Sequence, residues 1–223
     1  MTGRDNALWL QFWRDRRTDF HQPAVNRLLA QFWPGLNPVH GSRVFVPLCG
    51  KSLDMLWLAE QGHQVIGVEL SDIAVRAFFK ENQLRPARRR VGKFTLWRSG
   101  ILTILCGDYF SLTAADLGAV DIVYDRAALT ALPEDIREQY VSQLQRLVPA
   151  TATILLLTTE DIEAESSEDN ATNIAAEVQD LYGEGFAIEL SHVQSIGEFD
   201  LEVGDAGEAG QYKVYRLSSK TQL

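Results

Sequence analysis

The sequence predicts an α/β fold: a single domain on a mostly parallel sheet with helices on both faces. Three observations predict it. Apolar, β-rich runs alternate with amphipathic helical stretches between residues 43 and 159, the pattern of parallel strands joined by crossover helices. The length, 223 residues, suits one α/β domain. Two late strand-like runs, 186–196 and 212–218, are separated by a loop and would close the sheet as an antiparallel pair.

Each element has its own reason. The first forty residues carry Trp9, Phe12, Trp13, Phe20, Phe32 and Trp33 and read as helices laid over the sheet. "RVFVPLC" (43–49) is a buried strand. "SLDMLWLAEQG" (52–62) is a helix with Ser52 at its start and Gly62 at its end. "QVIGVEL" (64–70) is a second strand, and "SDIAVRAFFKENQ" (71–83) a second helix, with Ser71 as N-cap and Asp72 in the first turn. "LTILCGD" (102–108) and "VDIVYDR" (120–126) are further strands. "PEDIREQYVSQLQRLV" (133–148) is a helix, with proline at N1, two acids in the first turn and an arginine near the end. "TATILLLTT" (151–159) is a strand and "IAAEVQDLYG" (174–183) a helix. With the two late strands, seven are expected. Within 1–223 the organisation divides into an N-terminal covering segment (1–40), a core (41–159), and an acidic segment with the closing strands (160–223).

Composition narrows the function classes. Hydrophobic content of 46% with 23% charged residues describes a soluble globular protein. No apolar run approaches the roughly 18–20 residues of a membrane helix, so no membrane partner is expected. "MTGRDNALWLQFWRDRR" has neither a continuous apolar core nor a small-residue cleavage site, hence no secretory signal. Cys49 and Cys106 are far apart and imply no disulfide framework. A cytoplasmic location is the default. Net charge −9 argues against nucleic acid as the main partner. Residues 1–146 carry 18 Lys/Arg and 15 Asp/Glu, whereas residues 147–212 carry 15 Asp/Glu and no Lys or Arg. The one dense basic cluster, Arg85, Arg88, Arg89, Arg90 and Lys93, reads as a solvated loop face. His40, His63 and His192 show no metal spacing, and no metal is expected; His21 reads as a helix-end or surface group rather than a base.

The chemistry starts at "VPLCGKS" (46–52), which ends like a phosphate-binding P-loop. A P-loop needs Gly five residues before Gly50, where Phe45 stands, and Pro47 offers no N–H to a phosphate. A dinucleotide loop needs Gly-x-Gly-x-x-Gly, and Gly50 is alone. One part of the dinucleotide logic survives: Glu69 lies 19 residues after Gly50, at the end of the second strand. An acid there accepts hydrogen bonds from ribose hydroxyls. A ribose-gripping acid without a phosphate cradle fits a nucleoside such as S-adenosylmethionine. In "CGDYF" (106–110), Asp108 either accepts from an adenine amino group, with Tyr109 beside the ring, or caps the strand end.

These residues carry a resemblance. "VFVPLCGKSLDMLWLAEQGHQVIGVELS" closely resembles the thiopurine S-methyltransferases, a branch of the class I S-adenosylmethionine-dependent methyltransferases with a Rossmann-like fold. "WLQFWRDRRTDFHQ" (9–22) is similar to the family's cofactor-covering segment, "CGDYFSL" (106–112) to its third-strand motif, and "VYDRAALTALP" (123–133) to its Asp-Arg motif. The resemblance implies cofactor contacts from Leu48, Glu69 and Arg126, with Trp13 and Trp9 over the cofactor and Asp108 and Tyr109 on the adenine side. It implies Phe20 bordering the substrate; Gly50, beside Glu69 at the carboxyl edge, would face the cofactor, and Arg126 would favour an anionic thiolate or carry water to it. Local alternatives stand beside these roles. Trp9 and Trp13, spaced i, i+4, also suit a core; Leu48 also suits packing; Arg126 also suits a bridge to Asp125 or Asp121.

The implied reaction is methyl transfer from S-adenosylmethionine to a small-molecule acceptor, leaving S-adenosylhomocysteine, by a monomeric enzyme. Such an in-line displacement needs donor and nucleophile held close and aligned, worth roughly 7–11 kcal/mol. Aromatic faces suit a sulfonium. An ionised sulfur needs no strong base, consistent with the lack of a Ser-His-Asp or Cys-His constellation. The family's Tyr-Asp pair and Gly-Pro-Pro-Phe lid are replaced by "EDIEAESSEDNATN" (160–173), with six acids in 160–169. "GEFDLEVGDAGEAG" (197–210) likewise lacks arginines. An acidic lid would disfavour an anionic acceptor. The acceptor therefore stays open between a thiol, a reduced selenium or tellurium species, and another small O or N group. A cofactor-binding protein with reduced transfer is a further alternative, and a P-loop phosphohydrolase the remote one.

Overall fold

The computed structural model describes residues 3–18, 20–161, 174–195 and 210–220. They divide between two compact units, Met1–Tyr124 with Arg146–Pro149, and Asp125–Gln145 with Ala150–Leu223.

The first unit holds, in chain order, α1 (Gly3–Arg14), α2 (Arg27–Phe32), β1 (Arg43–Val46), α3 (Asp54–Glu60), β2 (Gln64–Glu69), α4 (Asp72–Glu81), β3 (Ala87–Val91), β4 (Phe94–Ser99), β5 (Leu102–Cys106), α5 (Ala114–Leu117) and the start of β6 (Ile122–Arg126). The strand order is β3-β4-β5-β2-β1-β6. β1, β2, β5 and β6 pair in parallel, with Phe45 opposite Ile66 and Val123, and Gly67 opposite Ile104. Val44, Phe45 and Val68 are fully buried, as continuous apolar strands covered on both faces must be. The expected parallel core and its helices are therefore present, with Ser71 capping α4 through a bond from Ala74 N–H. The strand order turns at β1, whose neighbours are β2 on one side and β6 on the other. Open α/β sheets bind ligands outside the carboxyl ends of the strands at such a point.

Two strands were not foreseen. The described residues contain nine strands, not seven, and the extra pair is the antiparallel hairpin β3–β4. Part of the basic cluster expected to be a loop face, Arg88 to Arg90, is strand β3. The reason is its place at the sheet edge. An edge strand needs no buried face, and charges there block pairing with another chain. Arg88 also covers apolar surface: its guanidinium sits 4.7 Å from the centre of the Trp97 ring.

The second unit holds the end of β6, then α6 (Ala128–Ala131), α7 (Glu134–Leu147) as far as Gln145, β7 (Thr153–Asp161), α8 (Ile174–Tyr182), β8 (Phe186–Ser195) and β9 (Gly210–Ser219). β9 runs antiparallel to both β7 and β8, with Leu217 opposite Ile154 and Ile188, so the late strands do form the expected antiparallel closure. Arg137 of α7 bonds the Leu132 carbonyl at 3.0 Å and pairs with Glu177 of α8 at 2.7 Å.

Among the described residues no helix is long and apolar enough to cross a membrane. The expected acidic lid lies, from residue 162 to 173, outside the described residues, as do residues 197–209 of the second acidic stretch.

Candidate functional site

The site in the first unit is built on a turn. Strand β1 ends at Val46 because Pro47 has no N–H for the ladder. The chain nevertheless stays bonded to β2, through Cys49 N–H and the Val68 carbonyl at 2.9 Å. Leu48 and Gly50 both adopt left-handed backbone, at φ +46° and +53°. A residue that readily takes this conformation lets the chain reverse tightly, and glycine does so at no steric cost. The turn lies so close to β2 that a Cβ on Gly67 would stand 2.6 Å from Cys49 Sγ.

This reversal aims the Gly50 N–H at Glu69. Glu69 Oε2 accepts it at 2.8 Å, and Oε1 accepts the Ser71 N–H at 2.7 Å. The carboxyl is buried, and burial pushes it up to about 6, opposed by the N–H bonds from Ser71, Gly50 and Leu70. The Glu69 carbonyl accepts Gly107 N–H at 2.9 Å, which brings the end of β5 alongside. There Asp108 Oδ1 accepts the Phe110 N–H at 3.1 Å and caps a short 3₁₀ turn, Tyr109–Ser111. Tyr109 is buried, edge-on to Phe110.

The N-terminal aromatics close one side. Trp13 is 6% exposed, and its ring carbon Cζ2 lies 3.4 Å from where a Cβ on Gly50 would stand. Phe20 packs edge-on against both Trp13 (5.5 Å between ring centres) and Trp9 (5.6 Å), and is itself 44% exposed. Thus Trp9, Trp13, Phe20, Gly50 and Glu69 form one chain of contacts. The Gly-Lys-Ser tail serves other ends. Lys51 pairs with Glu81 at 2.9 Å, and Ser52 Oγ accepts the Asp54 N–H at 3.2 Å at the start of α3. Burial pushes the Cys49 thiol well up and the Cys106 thiol up to about 11, so neither is set up as a thiolate nucleophile.

Arg126, in the second unit, ends β6. The next residue, Ala127, is left-handed at φ +57°. Asp125 is fully buried; its Oδ2 accepts the Tyr140 O–H at 2.6 Å and its Oδ1 the Ala128 N–H at 3.1 Å. Asp121 accepts the Arg43 N–H at 2.7 Å.

Sequence reading overlooked Asp54. It is 1% exposed and accepts the Asn26 N–H at 2.8 Å and the Tyr124 O–H at 2.9 Å. The signal was available: Asp54 stands four residues before the buried Leu58, so helical spacing puts an acid on the apolar face.

A nucleoside fits these residues. A carboxylate has about four acceptor positions, and with the Gly50 N–H on one Glu69 oxygen and the Ser71 N–H on the other, acceptor capacity is left for hydroxyl donors.

The family model described as Thiopurine S-methyltransferase (TPMT) matches residues 4–220. A thiopurine S-methyltransferase of Stutzerimonas stutzeri (strain A1501) is 60% identical over 220 residues, covering 99% of this chain and 93% of that protein. Two solved structures share the fold at low identity. One is a SAM-dependent methyltransferase from Anabaena variabilis, with TM-score 0.67 and 13% identity, covering 96% of this chain and 94% of that one. The other is Burkholderia thailandensis 1,6-didemethyltoxoflavin-N1-methyltransferase with bound 1,6-didemethyltoxoflavin and S-adenosylhomocysteine, with TM-score 0.62 and 15% identity, covering 96% and 87%.

Proposed function

The chain belongs to the thiopurine S-methyltransferase family, and from that premise we propose that it methylates a small thiol-type acceptor with S-adenosylmethionine as donor. The observation that carries the reading is the Glu69 carboxylate, fixed by the Gly50 and Ser71 N–H groups at the carboxyl end of β2. When bound, the cofactor supplies an electrophilic methyl group on a sulfonium.

The chain's own residues divide the work. Glu69 accepts from the ribose hydroxyls, and its bonds to backbone N–H groups hold it in one orientation, so little side-chain entropy is lost on binding. The left-handed backbone at Leu48 and Gly50 turns the chain back at the carboxyl end of β1, where the ligand is held. Trp13, and Trp9 through Phe20, exclude water and offer π faces to a cation. Asp108 keeps an oxygen for the adenine edge, beside Tyr109. Phe20 borders the acceptor. Arg126 is assigned from its Asp-Arg motif: a permanent cation that favours an ionised acceptor sulfur. A soft acceptor ionised near neutral pH needs no protein base. The reading treats 1–223 as one catalytic chain, monomeric and cytoplasmic.

Selenium or tellurium acceptors remain the second reading, because the family's lid is replaced at 160–173 by six acids and no aromatic residue. The test is calorimetry with S-adenosylmethionine and S-adenosylhomocysteine beside a donor-consumption screen across thiols, thiopurines, selenite and tellurite. Binding of the donor with turnover of a thiol is the expected result; no binding of either nucleoside overturns the reading.

A further inference from the structure

We propose that Asp54 is a positioning residue that anchors the N-terminal aromatic segment over the Gly50 turn and thereby sets how tightly the cofactor is held. The inference rests on the reading of that turn as the cofactor site.

Asp54 lies among Met55 and Leu58, all within 1% of complete burial. A carboxyl group in such surroundings is costly unless its oxygens are bonded. Both are, and by donors from different parts of the chain: Asn26 N–H on Oδ1 and Tyr124 O–H on Oδ2. Asn26 and Tyr124 are themselves buried, at 3% and 1% exposure. The bond to Asn26 reaches further. Asn26 Oδ1 accepts the Leu28 and Leu29 N–H groups at 2.9 and 3.3 Å, fixing the start of α2, while its Nδ2 donates to Gln22 Oε1 at 3.0 Å. Gln22 is two residues from Phe20, which packs on Trp9 and Trp13. Trp13 in turn lies against Gly50.

The circuit closes on the other side through the chain itself. Asp54 is four residues after Gly50, and its own N–H is held by Ser52 Oγ. One side chain therefore ties the base of the turn to the segment that covers it, with β6 as the third point of attachment. An apolar side chain of equal volume would fill the space but could not bridge two donors.

The test compares Asp54→Leu, Asp54→Asn, Asn26→Ala and Gln22→Ala with the full-length wild type. Affinity for S-adenosylhomocysteine is measured by calorimetry, and kcat is measured at saturating donor and thiol, below each variant's melting temperature. Losing both buried hydrogen bonds predicts at least about tenfold weaker binding for Asp54→Leu, with kcat held within about threefold. Asp54→Asn keeps one carbonyl acceptor and should recover affinity to within about threefold of wild type. Asn26→Ala, which leaves Asp54 in place, should weaken binding about fivefold by freeing the Gln22 end, so the proposal stays testable if Asp54→Leu does not fold. Wild-type affinity in Asp54→Leu, equal losses in the Leu and Asn variants, or wild-type affinity in both Asn26→Ala and Gln22→Ala overturns it. Failure of the wild type to bind the nucleoside at all instead removes the cofactor reading beneath it.

Discussion

Glu69 Oε2 accepts the Gly50 backbone N–H at 2.8 Å, so the acid at the end of β2 and the left-handed turn after β1 hold each other in place. Removing either partner should therefore disturb the other.

Glu69→Ala leaves the Gly50 and Ser71 N–H groups without their acceptor and takes away the ribose partner. Bonds to charged groups are worth about 1.5–3 kcal/mol, so affinity for S-adenosylmethionine should fall at least about tenfold. Calorimetry on the folded variant is the check; an unchanged Kd removes Glu69 from the site.

The same carboxyl makes binding depend on pH. Its value in the folded protein is about 6 against an ordinary 4.5. Ribose hydroxyls donate best to the ionised form, so donor affinity should drop as pH falls through about 6. Stability runs the other way. A raised carboxyl stabilises the fold most below pH 4.5 and loses that contribution as pH rises through about 6, on the order of 2 kcal/mol. Glu69→Gln cannot ionise, so its melting temperature relative to wild type should rise across that window. A difference that stays flat from pH 4.5 to 7.5 contradicts the assignment.

Gly50→Ala places a Cβ 3.4 Å from Trp13 Cζ2 at a position with φ +53°. The left-handed conformation costs an L-residue about 1–2 kcal/mol, and the added methyl touches the indole at van der Waals distance, changing its surroundings. Lower melting temperature, altered tryptophan emission and weaker donor binding should appear together. A variant that melts and fluoresces like wild type would falsify the placement of Trp13 over the turn.

Tyr140→Phe deletes the O–H that donates to Asp125 at 2.6 Å. Burial already pushes Asp125 up to about 6, and the Tyr140 bond works against that push. Without it the carboxyl rises further. The variant should lose about 1–3 kcal/mol at pH 7.5 and less at pH 5, where the acid is neutral in both proteins. A loss independent of pH means the bond does not favour the ionised form.

Arg126→Ala should fold like wild type and transfer methyl groups more slowly, by at least about tenfold if the arginine stabilises an ionised acceptor. Turnover at the wild-type rate in a folded variant removes Arg126 from the chemistry.

Much of this was legible from local patterns. The parallel core could be read because strands buried on both faces must be continuously apolar, as "VFV" and "VIGV" are. The start of α4 could be read because Ser71 is an ordinary N-cap. Glu69 was legible from its spacing to Gly50, since one helix and one strand take about that many residues to return to the same edge. The β3 strand was not, because "ARRRV" has no apolar alternation and forms a strand only as the edge partner of β4. Nor was the role of Asp54, whose partners stand 28 and 70 residues away along the chain.

The sequence by itself determined the α/β class and the pairing of Gly50 with Glu69, which depend on residue type and short-range spacing, and its motifs carried the resemblance to the family. Only the tertiary structure decided that Gly50 and Glu69 bond directly, that Lys51 pairs with Glu81 rather than serving a phosphate, and that Asp54 joins Asn26 to Tyr124. Such contacts exist once distant backbone segments are brought within about 3 Å, and no local pattern encodes that approach.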